Sequence, residues 1–211
     1  MIPTREEMCQ ALEERHGKAL QQKLSVATVA ICGLGGLGSN IAIALARAGI
    51  GKLILIDYDK VDISNLHRQQ YKASQVGMYK TEALKENLIE IAPYVQIEAY
   101  TLKLTEDNTV DLLQDADIIC EAFDKAEEKA MLVNTIWEKL PNKYLIAASG
   151  MAGLASANHI KTRQITKHFY LCGDEASDVE DSIGLMASRV MLCAAHEAHM
   201  VLRILAGECE V

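Results

Sequence analysis

The sequence predicts an α/β fold in which a mostly parallel sheet carries helices on both faces. Three observations predict it. Short apolar runs alternate with helical patterns along nearly the whole chain. Residues 33–38 read GLGGLG between the first apolar run and the helix after it, with Gly33, Gly35 and Gly38 on a G-x-G-x-x-G spacing. An acid, Asp57, closes the second apolar run.

Taken in order, residues 1–25 are charged and amphipathic and are expected as a helical arm, with no apolar core of a signal peptide. Residues 27–32 (ATVAIC) read as the first strand, and the glycine loop then opens a helix that runs to Ala48. Residues 52–57 (KLILID) form a second strand. A helix from about Met78 to Ile91 is stopped by Pro93, and 95–100 (VQIEAY) is a third strand. A short helix near 107–114, a strand at 117–122, a helix from about Lys125 to Leu140 and a strand at 143–149 follow. Five strands separated by helices imply right-handed crossovers within one sheet. Residues 166–182 are polar and acidic and are expected as a surface loop, and Leu185–Ala206 as a helix covering one face. No repeat or linker divides residues 1–211, so one nucleotide-binding domain is expected.

Composition narrows the partners. A formal net charge of −8 disfavours nucleic acid and anionic membrane surfaces, which call for basic proteins. The six cysteines are scattered without a C-x-x-C pair, which fits neither a zinc knuckle nor a disulfide framework and points to a reducing, cytoplasmic setting.

The glycine loop has the setting that phosphate binding needs. Glycines let a phosphate ester approach the backbone, and the helix N-terminus offers amide donors and partial positive charge. Asp57 is placed to accept hydrogen bonds from ribose hydroxyls. The spacing alone does not separate NAD from another nucleotide, but the next residues do. Asn65, Arg68 and Gln69 fall within five positions and suit the oxygens of a triphosphate. Lys80 falls in the first turn of a helix, an unfavourable end for a cation unless an anion pairs with it. Asp124 lies just past the fourth strand, facing the same crevice as a magnesium ligand or capping the following helix.

Together these residues resemble the ThiF/MoeB/HesA family, bacterial relatives of the ubiquitin-activating enzymes. The resemblance rests on GLGGLGSNIA (33–42, including Gly36), Asp57, the run from Asp59 to Gln69 with Asn65 and Arg68, Gly77 with Lys80, Phe123 with Asp124, and the small-residue stretch AASGMAG (147–153). It implies a Rossmann-like, ubiquitin-activating-enzyme-like domain. It also implies adenylation, with ATP and Mg2+, of the C-terminal carboxylate of a ubiquitin-like sulfur carrier ending in Gly-Gly, in thiamine biosynthesis. In that reading Asp57 holds the ribose, Asn65, Arg68, Gln69 and Lys80 hold the phosphates, and Asp124 places magnesium. The family also implies a homodimer in which an N-terminal arginine reaches the partner's ATP, here Arg15 or, failing that, Arg5. Cys172, in the expected acidic loop, is the candidate sulfur-transfer nucleophile, although the acids from Asp174 to Asp181 would raise its pKa. Two rivals stay open. A nicotinamide-dependent oxidoreductase explains the glycines and Asp57 but leaves Arg68, Lys80 and Asp124 without a role. A catalytically idle nucleotide-binding scaffold that docks a partner is not excluded by any residue, although the full set of polar residues weighs against it.

Overall fold

The five expected strands form, within a residue or two of the expected limits. The computed structural model describes residues 2–180 and 183–211. The strands are β1 (Thr28–Cys32), β2 (Lys52–Ile56), β3 (Gln96–Tyr100), β4 (Ile118–Glu121) and β5 (Tyr144–Ala148). Between them run α3 (Gly36–Ala48), α4 (Lys80–Ile91), α5 (Thr109–Leu113) and α6 (Ala126–Lys139), preceded by α1 (Arg5–His16) and α2 (Lys18–Val26) and followed by α7 (Ala187–Ala206).

Side-chain alternation along the strands sorts the core into two layers. Val29, Ile31, Leu53, Leu55, Cys120 and Ile146 point to one face, where α3, α4 and α7 cover them. Ala30, Cys32, Ile54, Ile56, Ile119 and Leu145 point to the other face, under α5 and α6. Burial on both faces explains why the central strands read as unbroken apolar runs. Among the described residues no helix is long and apolar enough to cross a membrane.

Two further strands correct the expectation for residues 166–182. β7 (Phe169–Gly173) pairs parallel with β5, and β6 (Lys161–Thr166) pairs antiparallel with β7 at the sheet edge. The order is β3-β2-β1-β4-β5-β7-β6. β7 is only five residues long and is followed directly by acids, so its apolar run is masked by its neighbours. β6, KTRQIT, lies at the edge and is mostly exposed, and so carries no apolar run at all. Two of the following acids are also committed internally: Asp174 pairs with the buried Arg189, and Glu175 with Arg163. Asp181, in the same acidic stretch, lies outside the described residues.

Candidate functional site

The strand order reverses between β1, which is followed in the chain by its neighbour β2, and β4, which returns on β1's other side. A crevice opens at such a switch point, outside the carboxyl ends of the strands. Here it is a cavity of about 450 Å3, within the usual range for small-molecule sites. Gly33, Gly35 and Gly36 follow β1, Asp57 follows β2, Phe123 and Asp124 follow β4, and Met151 follows β5, and all of them line it.

Each loop glycine has its own steric reason. Gly33 has φ +93°, and a Cβ there would sit 2.7 Å from the Ala122 carbonyl oxygen. A Cβ on Gly38 would overlap the Gly33 carbonyl oxygen, so this glycine lets α3 pack against the loop. At Gly35, by contrast, a Cβ would meet only Gln69 Nε2, at 3.7 Å. The space in front of Gly35 therefore belongs to the cavity, and the first amides of α3 open onto it.

The loop is braced from behind. The Tyr71 hydroxyl donates to the Leu34 carbonyl (2.7 Å), and the Leu34 amide donates to Asp57 Oδ2 (2.7 Å). Asp57 Oδ1 also accepts from the Asp59 amide (2.7 Å). Burial raises the Asp57 carboxyl above its ordinary value, against the opposing pull of Lys80 and the two amides. Asn40 donates to the Gly36 (2.6 Å) and Arg68 (3.3 Å) carbonyls, tying the turn that follows Asn65 to α3.

Asn65, Arg68, Gln69, Lys80 and Asp124 all line the cavity, as the sequence reading expects. Arg68 Nε and Gln69 Oε1 are buried and have no hydrogen-bond partner. Leaving such atoms unpaired is costly, and the two ask for opposite partners: the Arg68 Nε–H for an acceptor such as a phosphate oxygen, Gln69 Oε1 for a donor such as a hydroxyl. Burial lowers the Arg68 pKa from its ordinary value, opposed by the charge of Asp124. Lys80 is buried in the first turn of α4, and the anion expected to pair with it is Asp59 (2.9 Å), with Asp57 at 3.8 Å. The N-cap of α6 is Lys125, without a side-chain bond, so Asp124 does not take the capping role and stands exposed at the cavity mouth. Among the described residues no three His, Cys, Asp or Glu converge as metal ligands. A magnesium ion here would take one carboxylate, from Asp124, and its remaining oxygens from phosphates and water, which is usual for this ion.

Ile56, Leu102, Leu104 and Phe123 give the cavity an apolar wall on which a base can lie. Tyr58 stands beside it, donating to Glu128 (3.0 Å) and accepting from Lys125 (2.8 Å). Sequence reasoning missed Tyr58, Glu128 and Lys129. The available signal was their placement, directly after Asp57 and within the first turn and a half after Asp124.

Two expected residues are elsewhere. Cys172 is fully buried in β7 rather than exposed on a loop. Burial first, and Glu197 second, push its thiol up to about 12, whereas the loop acids named as the cause contribute nothing resolved. It does not line the cavity. Arg15 is exposed on α1, a helix with no buried residue that rests near Gly49, Gly51 and Tyr94, and it does not line this chain's cavity. The apolar groove beside Trp137, Leu140 and Phe169 brings together none of the site residues.

Comparison with known proteins places this geometry. The model of the ThiF family matches residues 9–211. Ubiquitin-like modifier-activating enzyme 5 of Caenorhabditis elegans is 46% identical over 90 residues, covering 43% of this chain and 22% of that protein. Adenylyltransferase and sulfurtransferase UBA4 of Lodderomyces elongisporus is 30% identical over 193 residues, covering 89% of this chain and 42% of the relative. The chain thus spans less than half the length of these curated relatives. Among solved structures, Escherichia coli tRNA N6-threonylcarbamoyladenosine dehydratase, TcdA, in complex with ATP, superposes with a TM-score of 0.86 at 20% identity, covering 99% of this chain and 98% of that one. At that identity the likeness is one of fold.

Proposed function

The chain belongs to the ThiF family, and on that premise we propose that it is an adenylyltransferase that activates the C-terminal glycine carboxylate of a ubiquitin-like sulfur carrier. The single observation that carries this reading is the pair of orphaned buried polar atoms, Arg68 Nε and Gln69 Oε1, on two residues that line the cavity together with the open face of Gly35. ATP offers both kinds of partner: its phosphate oxygens accept from the Arg68 Nε–H, and its ribose hydroxyls can donate to Gln69 Oε1. A catalytically idle scaffold would bind the same nucleotide, so turnover decides between the two.

In this reading ATP lies along the loop from Gly33 to Gly38, with its base on the Leu102–Phe123 wall. Asp57 accepts from the ribose through lone pairs left free by its two amide bonds. Asn65, Arg68, Gln69 and Lys80 hold the phosphates, with Arg68 and Lys80 stabilising the charge that develops on the departing pyrophosphate. Asp124 would hold Mg2+, which when bound would neutralise further phosphate charge. The acyl carboxylate attacks the α-phosphorus in line, the bond to the bridging oxygen breaks, and pyrophosphate leaves. No covalent enzyme intermediate is needed, so the chain's contribution is positioning and electrostatics. Residues 1–211 act as one domain, in a cytoplasmic homodimer, where Arg15 of each α1 is supplied to the neighbouring site. The setting proposed for it is thiamine biosynthesis.

The test is ATP–pyrophosphate exchange with carriers ending in Gly-Gly. The reading predicts exchange that needs the intact tail and disappears when the last glycine is removed. ATP binding without exchange for any carrier would overturn it in favour of the scaffold or another acyl substrate.

A further inference from the structure

Beside the nucleotide cavity, which Lys129 lines, lies an ion pair that the proposed mechanism does not use. Glu121, the last residue of β4, is 1% exposed. Lys129, on α6, donates to both of its oxygens (3.1 and 2.9 Å) and to the carbonyl of Ala148 at the end of β5 (3.1 Å). All three ammonium protons are thereby used, so Lys129 lines the cavity without a donor to spare for a ligand. What the pair holds is a single peptide unit. Glu121 Oε1 also accepts from the Phe123 amide (2.8 Å), and that N–H belongs to the same peptide as the Ala122 carbonyl. The Ala122 oxygen is the atom that a Gly33 Cβ would meet at 2.7 Å. The N–H of this peptide is therefore held by Glu121, and its C=O lies close against the glycine loop, in space that a residue with a Cβ would fill. Asp124 is one residue further on.

We propose that Glu121 and Lys129 are positioning residues: together they lock the Ala122–Phe123 peptide against the glycine loop and so fix Asp124 relative to the bound phosphates. This rests on the adenylation reading above. Stability alone does not account for the pair. Removing a carboxylate from water is costly, and an apolar pair of similar volume commonly holds a fold as well or better. Its place at the carboxyl ends of β4 and β5, one peptide from Asp124, matches a demand for geometry.

The experiment compares wild type, the doubly apolar variant Glu121→Leu with Lys129→Met, and Lys129→Arg. Each is measured for melting temperature, for ATP affinity with and without Mg2+, and for pyrophosphate exchange. The apolar variant should melt at or above the wild-type temperature and bind magnesium-free ATP within about threefold of wild type. It should lose the gain in ATP affinity that Mg2+ gives the wild type, and its exchange kcat should fall about 100-fold, the scale set by an ångström of misplacement. Lys129→Arg, which can keep a bidentate charge contact to Glu121, should retain exchange to within about fivefold of wild type. A stably folded apolar variant that keeps both the magnesium gain and wild-type exchange overturns the proposal, as does a wild type whose ATP affinity ignores Mg2+. If the wild type shows the magnesium gain but exchanges with no carrier, only the adenylation reading falls. The magnesium gain in the variants then still decides the role of the pair.

Discussion

Gly35 and Gly38 lie three residues apart in one loop, yet the surroundings of each dictate opposite outcomes for the same substitution. A methyl at Gly38 has nowhere to go except into the Gly33 carbonyl, so Gly38→Ala should destabilise the fold itself, lowering Tm by many degrees. A methyl at Gly35 meets only a glutamine nitrogen at 3.7 Å, and the cost there lies in the backbone, whose φ of −75° and ψ of −144° fall between the regions alanine favours. Gly35→Ala should lower Tm far less than Gly38→Ala does, while weakening ATP by at least about tenfold, or 1.4 kcal/mol, because the methyl takes the phosphate's space. Calorimetric titration beside a thermal melt separates the two, and an unchanged ATP affinity in Gly35→Ala would place the phosphates elsewhere. Glu197, on α7, supplies a pH signature. It is fully buried, neither oxygen has a hydrogen-bond partner, and burial, followed by the charge of Glu121, pushes its pKa well above the ordinary carboxylate value. The folded state therefore keeps a proton that the unfolded chain releases, and stability is lost as pH rises through that window. Glu197→Gln has no such proton to lose, so its Tm advantage over wild type should be small near pH 4.5 and widen toward pH 8. A gap that does not change with pH would mean that the acid titrates normally.

Among the elements, β7 is the one that changes a functional reading. Its residues Phe169–Gly173 run beside β5, which takes Cys172 out of solvent and makes its thiol a poor nucleophile. A thiol reagent should label Cys172 only after denaturant is added, whereas Cys9 and Cys209, both partly exposed, should react in the native state. Cys172→Ala should keep pyrophosphate exchange within about twofold, at a modest cost in stability from the lost sulfur. Native-state labelling of Cys172, or loss of exchange in the variant, would return it to the list of reactive groups. The reason β7 was hidden is physical. A five-residue strand buried between β5 and an edge strand needs no alternation and no length, and the acids after it dominate its local composition. β1 and β2 were legible because central parallel strands carry continuous apolar runs. Lys80 shows the converse limit: its awkward place at a helix start was a real signal, but the sequence could not say that Asp59 answers it.

At the scale of the whole molecule, much of the site was legible because the fold converts sequence order into proximity. Every strand of the parallel set delivers its C-terminal residues to one edge, so Gly35, Asp57 and Asp124, far apart in the chain, meet at the switch point. What stayed hidden depends on contacts that no local pattern encodes: the Glu121–Lys129 clamp across β4, α6 and β5, and the Tyr58–Glu128 contact at the base wall. The central claim is that this edge carries out adenylation rather than merely storing a nucleotide. The most direct measurement is pyrophosphate exchange by wild type and Asp124→Ala, with ATP affinity determined on the same preparations. Asp124→Ala should still bind ATP but exchange about 100-fold to 1,000-fold more slowly, the loss expected when one preorganised charge contact to the transition state is removed. Equal exchange rates in the two proteins, with a carrier present, would contradict it.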